Sequence, residues 1–386
     1  MVIAVDMCRV RPPPPPKHHA QTIRARRASH CPISRGRRDQ CMSTLPTAYI
    51  ALQGARVRLE GGSLVVEHAA HPPSIIQLAH LGGLVALGGI EFTTPALIAL
   101  AQRGIGCVLA TRGGRVRAIV TSPTARHCEL RRMQHALEVE RAQAETNAPR
   151  PLEFARRSVR AKLDALLGIL VQHHRTHDDV ELSQPIALIR ALRDRIERAA
   201  SIDQLRGFEG AAMARYFATM PALCRGELTT ATRSRQPPQD PMNSALSFGY
   251  ALIVGELTAT LHARGLDPAL GLMHPPTDGR PSLALDLVEP LRHAIIDRLV
   301  LRAANRRELL ASDFERFSEA GVSGVRFTDA GRGKFLSLYQ TAMSAEMTDG
   351  ASAPRAVRML LADIVEEYER ALEPMALSDF APIAVV

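Results

Sequence analysis

The 386-residue chain predicts an α+β protein of two domains, a small N-terminal β-rich one followed by a large all-α one. Three observations carry that expectation. Between residues 42 and 122 apolar side chains alternate with a period of two, and from residue 123 onward they recur at spacings of three and four. The composition, 46% hydrophobic and 23% charged, can build an ample core and does not suit a disordered chain. Only 4% of residues are aromatic and there is no Trp, which argues against a protein that binds single strands by stacking bases.

Residues 1–41 stand apart from both domains. They hold nine Lys or Arg against two Asp, so seven of the nine net positive charges lie there, with five consecutive prolines and three of the six cysteines. The segment has no apolar periodicity and reads as a basic Pro/Arg-rich arm, disordered or upstream of the true start and dispensable for the rest. Its first five residues are too short for the apolar part of a signal peptide. Cys8, His18, His19, His30, Cys31 and Cys41 lack paired metal-ligand spacing and read as a solvated tail. Cys107, Cys128 and Cys224, few and far apart, fit reduced thiols in a cytoplasmic protein.

Residues 49–52, 56–59 and 64–67 read as strands, the last two joined through Glu60-Gly61-Gly62-Ser63 as a hairpin. Residues 71–90 carry no formal charge and match a bilayer span in length. Pro72, Pro73, His80 and the glycine pairs at 82–83 and 88–89 instead predict strands and turns, with a strand at 84–87. Thr94 as N-cap and Pro95 at the first helical position start a short helix that ends at Gly104. Residues 106–111 and 115–121 form a second hairpin, completing the β-rich domain at 42–122. Helices follow at 127–139, 152–173, 185–199, 205–223, 242–264, 283–302, 314–321, 328–346 and 354–373, within a helical catalytic domain at 123–386. Two stretches rich in turn residues, 233–241 and 272–281, interrupt these helices, and loops of that kind carry function more often than helix faces do.

The chain has no G-x-G-x-x-G, P-loop or H-E-x-x-H motif, and Gly321-Val322-Ser323-Gly324 is one residue short of a nucleophile elbow. Metal-assisted chemistry or binding remains. Asp286 and Glu289, three apart among Leu285, Leu287, Val288 and Leu291, share one helix face, and two half-buried carboxylates repel unless a cation sits between them. The competing reading is a solvated acidic edge paired with Arg292 or Arg298. His274 lies on a proline-stiffened loop and can fold back over that helix as a neutral imidazole ligand, or be a lone surface histidine. Glu209, between Gly207 and Gly210, stands where a backbone can approach closely, or is an exposed helical acid.

Taken together, Arg206-Gly207-Phe208-Glu209-Gly210 with Ala212, Tyr216 and Phe217, then 233–243 running into Leu246-Ser247-Phe248-Gly249-Tyr250, then Gly271-Leu272-Met273-His274, then 283–289, resemble the CRISPR-associated integrase family numbered one, the DNA-inserting subunit of spacer acquisition. The resemblance runs from about Thr47 to about residue 370 and implies the same fold, a β domain ahead of a helical one. It implies Glu209, His274 and Glu289 as metal ligands, with Asp286 as a nearby catalytic acid that supports the site or binds the metal. Some relatives carry Asp where this chain has Glu289, which still supplies a carboxylate, and His293 stands where relatives often have Pro. The resemblance further implies Mg²⁺ or Mn²⁺ as cofactor. Histidine among the ligands tilts the choice toward Mn²⁺. It also implies double-stranded and branched DNA as substrate, a homodimer formed through the β-rich domain, and a small partner subunit, the CRISPR-associated protein numbered two.

Candidate DNA contacts are Arg156, Arg157, Arg160 and Lys162 on one predicted helix, which a solvated face paired with Glu153 and Asp164 would also explain, and Arg233 and Arg235 in the loop before the Asn243 helix. The expected function is metal-dependent insertion or cleavage of DNA. Two alternatives are a non-catalytic DNA-binding scaffold of the same fold and a helical regulator that dimerises through the β domain without metal.

Overall fold

The computed structural model describes residues 2–3, 45–122, 128–143, 149–177, 180–230, 232–319, 321–347 and 355–372. Most of the basic arm, including its cysteines and histidines, lies outside the described residues; its Val2–Ile3 forms a short strand, β1.

Strands β2 (Thr47–Ile50), β3 (Arg56–Glu60), β4 (Ser63–His68), β5 (His71–Gln77), β6 (Gly83–Leu87) and β7 (Glu91–Phe92) precede helix α1 (Thr94–Gln102) and strands β8 (Gly106–Ala110) and β9 (Val116–Val120). They make two sheets. One runs β1-β2-β6-β8-β9, with β2, β6 and β8 parallel and antiparallel edges; the other runs β5-β4-β3-β7. The β3–β4 hairpin turns through Gly61 and Gly62 at φ +55° and +81°, a left-handed pair that glycine adopts without strain. The apolar, uncharged stretch expected to be strands and turns is divided among β5, a 3₁₀ turn and β6. Thr93 stands at the N-cap position of helix α1, one residue earlier than expected and without a side-chain capping bond, and Pro95 falls in the first turn.

The remaining helices are α2 (Cys128–Gln143), α3 (Pro149–His177), α4 (Ser183–Asp194), α5 (Ile202–Ala218), α6 (Met220–Leu223), α7 (Pro241–Ala263), α8 (Ser282–Arg292), α9 (Arg298–Asn305), α10 (Asp329–Ser344) and α11 (Val357–Ala371). Local signals start several of them. Ser201 accepts the Gln204 N–H ahead of α5, Asp240 accepts the Asn243 N–H ahead of α7, and Thr328 accepts the Gly331 N–H ahead of α10. Helix α7 is long and apolar enough to cross a membrane, but 72% of its most apolar window is buried in the protein, as befits a core helix.

One expected helix is a hairpin. Residues 314–321 contribute strand β10 (Phe314–Glu319), paired antiparallel with β11 (Val322–Phe327), so the C-terminal part is not purely α. Phe314 and Phe317 are spaced like a helix face, yet Phe314 stacks on Phe327 across the ladder at 4.4 Å, and that cross-strand contact with Val325 buried nearby outweighs the local pattern.

Alternation assigns the two faces of the larger sheet. Tyr49, Val85, Leu87, Val108 and Ala110 enter the helical core, whereas Ala48, Ile50, Leu84, Ala86 and Cys107 face a second core shared with Val57, Leu64, Val66, Ile76 and α1. The sheet therefore belongs to both cores. At the seam the buried Glu256 of α7 accepts hydrogen bonds from Tyr49 Oη and, at 3.0 Å, from Tyr339 Oη of α10, with Arg358 Nε of α11 3.9 Å away.

Candidate metal centre

Three helices converge on the site. Lys162 comes from α3, Glu209 from α5 and Glu289 from α8. Lys162 lies on the buried stripe of α3 with Ser158, Ala165, Leu166 and Ile169, and keeps 1% of its surface. Its ammonium bridges the Glu209 carboxylate and, at 2.7 Å, Glu289 Oε2. Arg292, one turn along α8, donates to the same Glu289 oxygen at 2.8 Å. Burial alone would raise the Glu289 pKa; the Arg292 and Lys162 cations overcome it and hold the carboxylate well below its usual range. Glu209 retains 15% side-chain exposure, so the pair is reachable from outside.

Asp286 is fully buried, and its carboxylate is consumed by the loop ahead of α8. It accepts the N–H groups of Leu272 and Met273 at 2.7 and 2.9 Å, that of His274 at 3.2 Å, and the His274 Nδ1–H at 2.5 Å. This bond puts a proton on Nδ1, so Nε2 is the ring nitrogen that would face a metal, the usual arrangement of a metal-binding histidine. The Asp286 carboxylate is thus occupied by the loop's N–H groups and by His274. Gly271 allows the loop to wrap so tightly: a Cβ there would lie 2.4 Å from His274 O and 2.9 Å from Asp286 Oδ2. Pro290 has no N–H to give the Asp286 carbonyl one turn back, and Ser158 Oγ of α3 donates to it instead at 3.3 Å. Arg206 donates to Met273 O, tying α5 to the same loop.

Among the described residues no three of His, Cys, Asp and Glu are gathered closely enough to hold a metal ion. The expected ligands Glu209 and Glu289 meet at one cation, which is Lys162, while His274 is held separately by Asp286, one turn before Glu289 on α8. Two carboxylates and an imidazole are donor types that suit Mg²⁺ or Mn²⁺. Gly207 and Gly210 have open space where a Cβ would stand, so any close approach beside Glu209 comes from outside the chain.

The expected DNA contacts separate. Lys162 is internal, which removes it from the surface. Arg156 pairs with Glu153 and donates to Ala199 O, and Arg157 pairs with Glu153. Arg160 is exposed beside Glu197, and Arg235 is exposed on its loop. Arg233 points inward, donating to Asn243 Oδ1 at 2.8 Å and Ser247 Oγ at 3.0 Å. Its guanidinium lies 5.5 Å from the Tyr250 ring centre, and that of Arg292 lies 4.8 Å from it, so this loop shapes the wall behind Glu289. The β10–β11 hairpin braces the loop through Val325 N–H to Pro238 O at 2.8 Å. Sequence reasoning missed the roles of Lys162, Arg292 and Tyr250. The signal for Lys162 was its place on the apolar stripe of α3, where a charge needs a partner.

Fold and site define a class: a sheet-plus-helix protein whose helical part gathers two acids around one cation and holds an imidazole on a buried aspartate of the same helix as one of those acids. The family model described as CRISPR associated protein Cas1 matches residues 48–341, and the chain belongs to that family. It is 35% identical over 311 residues to CRISPR-associated endonuclease Cas1 2 of Rhodospirillum rubrum, covering 77% of this chain and 86% of the relative. Its fold is shared with a Cas6-RT-Cas1 chain solved in complex with Cas2, at TM-score 0.75 and 20% identity, over 92% of this chain and 37% of that longer one. It is also shared with a casposase bound to integration product, at TM-score 0.69 and 17% identity, over 88% of this chain and 94% of that one.

Proposed function

We propose that this protein is the integrase and endonuclease of CRISPR adaptation in the cytoplasm, inserting short DNA fragments as new spacers by divalent-metal-dependent transesterification. The observation that carries the reading is the convergence of Glu209 and Glu289 on one cation, with Asp286, one turn before Glu289 on α8, fixing the Nδ1–H of His274. Family membership and the named activity of the Rhodospirillum rubrum relative support it. In the reaction the 3′-oxygen of the fragment forms a new bond to phosphorus of the array as the bond to the array's own 3′-oxygen breaks; one hydroxyl proton is released and one is gained. A Mg²⁺ or Mn²⁺ ion would polarise the phosphoryl oxygen and stabilise the attacking and leaving oxygens. Glu209, Glu289 and His274 Nε2 would hold that ion, Asp286 fixes the imidazole, and the wall of Arg292, Tyr250 and Arg233 keeps Glu289 in place. The exposed Arg160 and Arg235 would meet DNA phosphates. The protein would act as a homodimer through its β-rich part and would be joined by Cas2, the partner with which the similar Cas6-RT-Cas1 chain was solved.

The test is strand transfer and nicking of branched DNA in Mn²⁺, with and without Glu289→Ala. The variant is expected to fall to background while still binding DNA. Activity that survives the substitution overturns the metal site, and DNA binding without any metal-dependent product would instead support a scaffold of the same fold.

A further inference from the structure

The carboxylate pair does not wait for a cation, because Lys162 already supplies one. Glu209 and Glu289 contribute two negative charges, and Lys162 and Arg292 contribute two positive charges at 2.7 and 2.8 Å from Glu289. The cluster is therefore electroneutral as it stands. A divalent ion added beside Lys162 would put two uncompensated positive charges among groups of which Lys162, with 1% exposure, and Glu289, with 4%, are almost fully enclosed. The His274 imidazole brings no negative charge to offset it. Both carboxylates are also occupied by the ammonium, so the same oxygens cannot serve a metal and Lys162 at full strength.

We propose that Lys162 is the resident counter-cation of the site, that a divalent ion binds only by displacing its ammonium, and that Lys162 thereby sets metal affinity and couples it to DNA binding. This rests on the reading of Glu209 and Glu289 as metal ligands. The coupling follows from charge. With Lys162 displaced but still nearby, the excess of positive charge is offset when an anionic phosphodiester enters, so metal and DNA each favour the other's binding by the same factor. Without DNA the ammonium holds the site, which limits metal occupancy until substrate is present. Lys162 is thus a positioning residue, distinct from the ligands, and its removal should strengthen metal binding where removal of a ligand weakens it.

Mn²⁺ binding is measured by electron paramagnetic resonance and calorimetry on the full chain, with and without a non-reactive branched DNA, for the wild type, Lys162→Met, Lys162→Arg and Glu289→Ala. Lys162→Met is expected to tighten Mn²⁺ binding by about tenfold or more without DNA and to shrink the tightening that DNA causes in the wild type. Lys162→Arg keeps the charge and should bind Mn²⁺ no better than the wild type. If Lys162→Met folds poorly because two carboxylates are left facing each other, Mn²⁺ should raise its thermal midpoint more than it raises that of the wild type. Unchanged or weaker Mn²⁺ binding by Lys162→Met, a tighter Lys162→Arg, or a Lys162→Met midpoint that Mn²⁺ does not raise overturns the proposal. If in those cases Glu289→Ala still abolishes wild-type binding, the metal-site reading survives alone. Absence of binding in every protein overturns both.

Discussion

At the scale of the residue, two acids three positions apart on α8 perform different work because their neighbours differ. Asp286 faces a loop of unpaired N–H groups and His274, so its oxygens are used up in hydrogen bonds. Glu289 faces Lys162 and Arg292 and stays a charged carboxylate. A third titratable group, His293, follows directly in a π-helical turn (His293–Asp297), with Nδ1 2.9 Å from Asp297 Oδ2 and its ring against Tyr216 and Tyr250. Burial lowers its pKa; Asp297 opposes this, and Arg292 and Lys162 add to the lowering. The unfolded chain therefore takes up a proton near the ordinary value of 6.5 while the folded protein still refuses it. The stabilisation from keeping His293 neutral is fully present above that value and is lost as pH falls below it toward the folded pKa. Thermal midpoints should accordingly drop between about pH 7 and pH 5 more steeply in the wild type than in His293→Gln, which carries no titratable group at that position. Parallel curves would show that His293 does not contribute.

At the scale of the element, the loop before α8 is the part most sensitive to one added carbon. Gly271→Ala would place its Cβ 2.4 Å from His274 O and 2.8 Å from Ser282 Cβ, both too close to keep. The expected cost is about 1–3 kcal/mol in urea unfolding, with activity lost beyond what that stability change explains, because His274 is displaced from Asp286. Wild-type stability and turnover would show that the loop tolerates another path. The same loop was legible from its prolines and its histidine, and the α8 pair from its spacing. The β10–β11 hairpin was not legible, because two phenylalanines three apart satisfy a helical pattern and only the strand facing them decides otherwise. Residues 283–302, expected as one helix, do form a continuous one, but a π turn at His293–Asp297 shifts its register between α8 and α9, which the apolar spacing did not show.

At the scale of the whole molecule, the larger sheet and the helices are joined by a shared apolar face and by one buried carboxylate. Glu256 is reached by hydroxyls from β2 and α10 and lies near Arg358 of α11, so three parts of the chain meet on it. Glu256→Leu would leave the largely buried Arg358 without its nearest carboxylate and should destabilise the protein by about 3–5 kcal/mol, with sheet and helices melting together in calorimetry. A change under about 1 kcal/mol would mean that the hydroxyls and Arg358 find other partners. The net charge of +9 gives little account of this architecture. Most of it belongs to residues 1–41, and the basic groups nearest the site, Lys162, Arg233 and Arg292, are turned inward to hold acids and rings.

Periodicity alone determined the order of β-rich and helical parts, and a resemblance carried by spaced motifs pointed to the family and to the candidate acids and histidine, because these depend on residue type and distance along the chain. Tertiary structure alone decided that the Asp286 carboxylate is taken up by its loop and His274, that Lys162 is internal, and that the sheet shares the helical core. Each of these depends on which side chain from a distant segment fills the remaining valence of a buried polar group, and a one-dimensional pattern does not contain that choice.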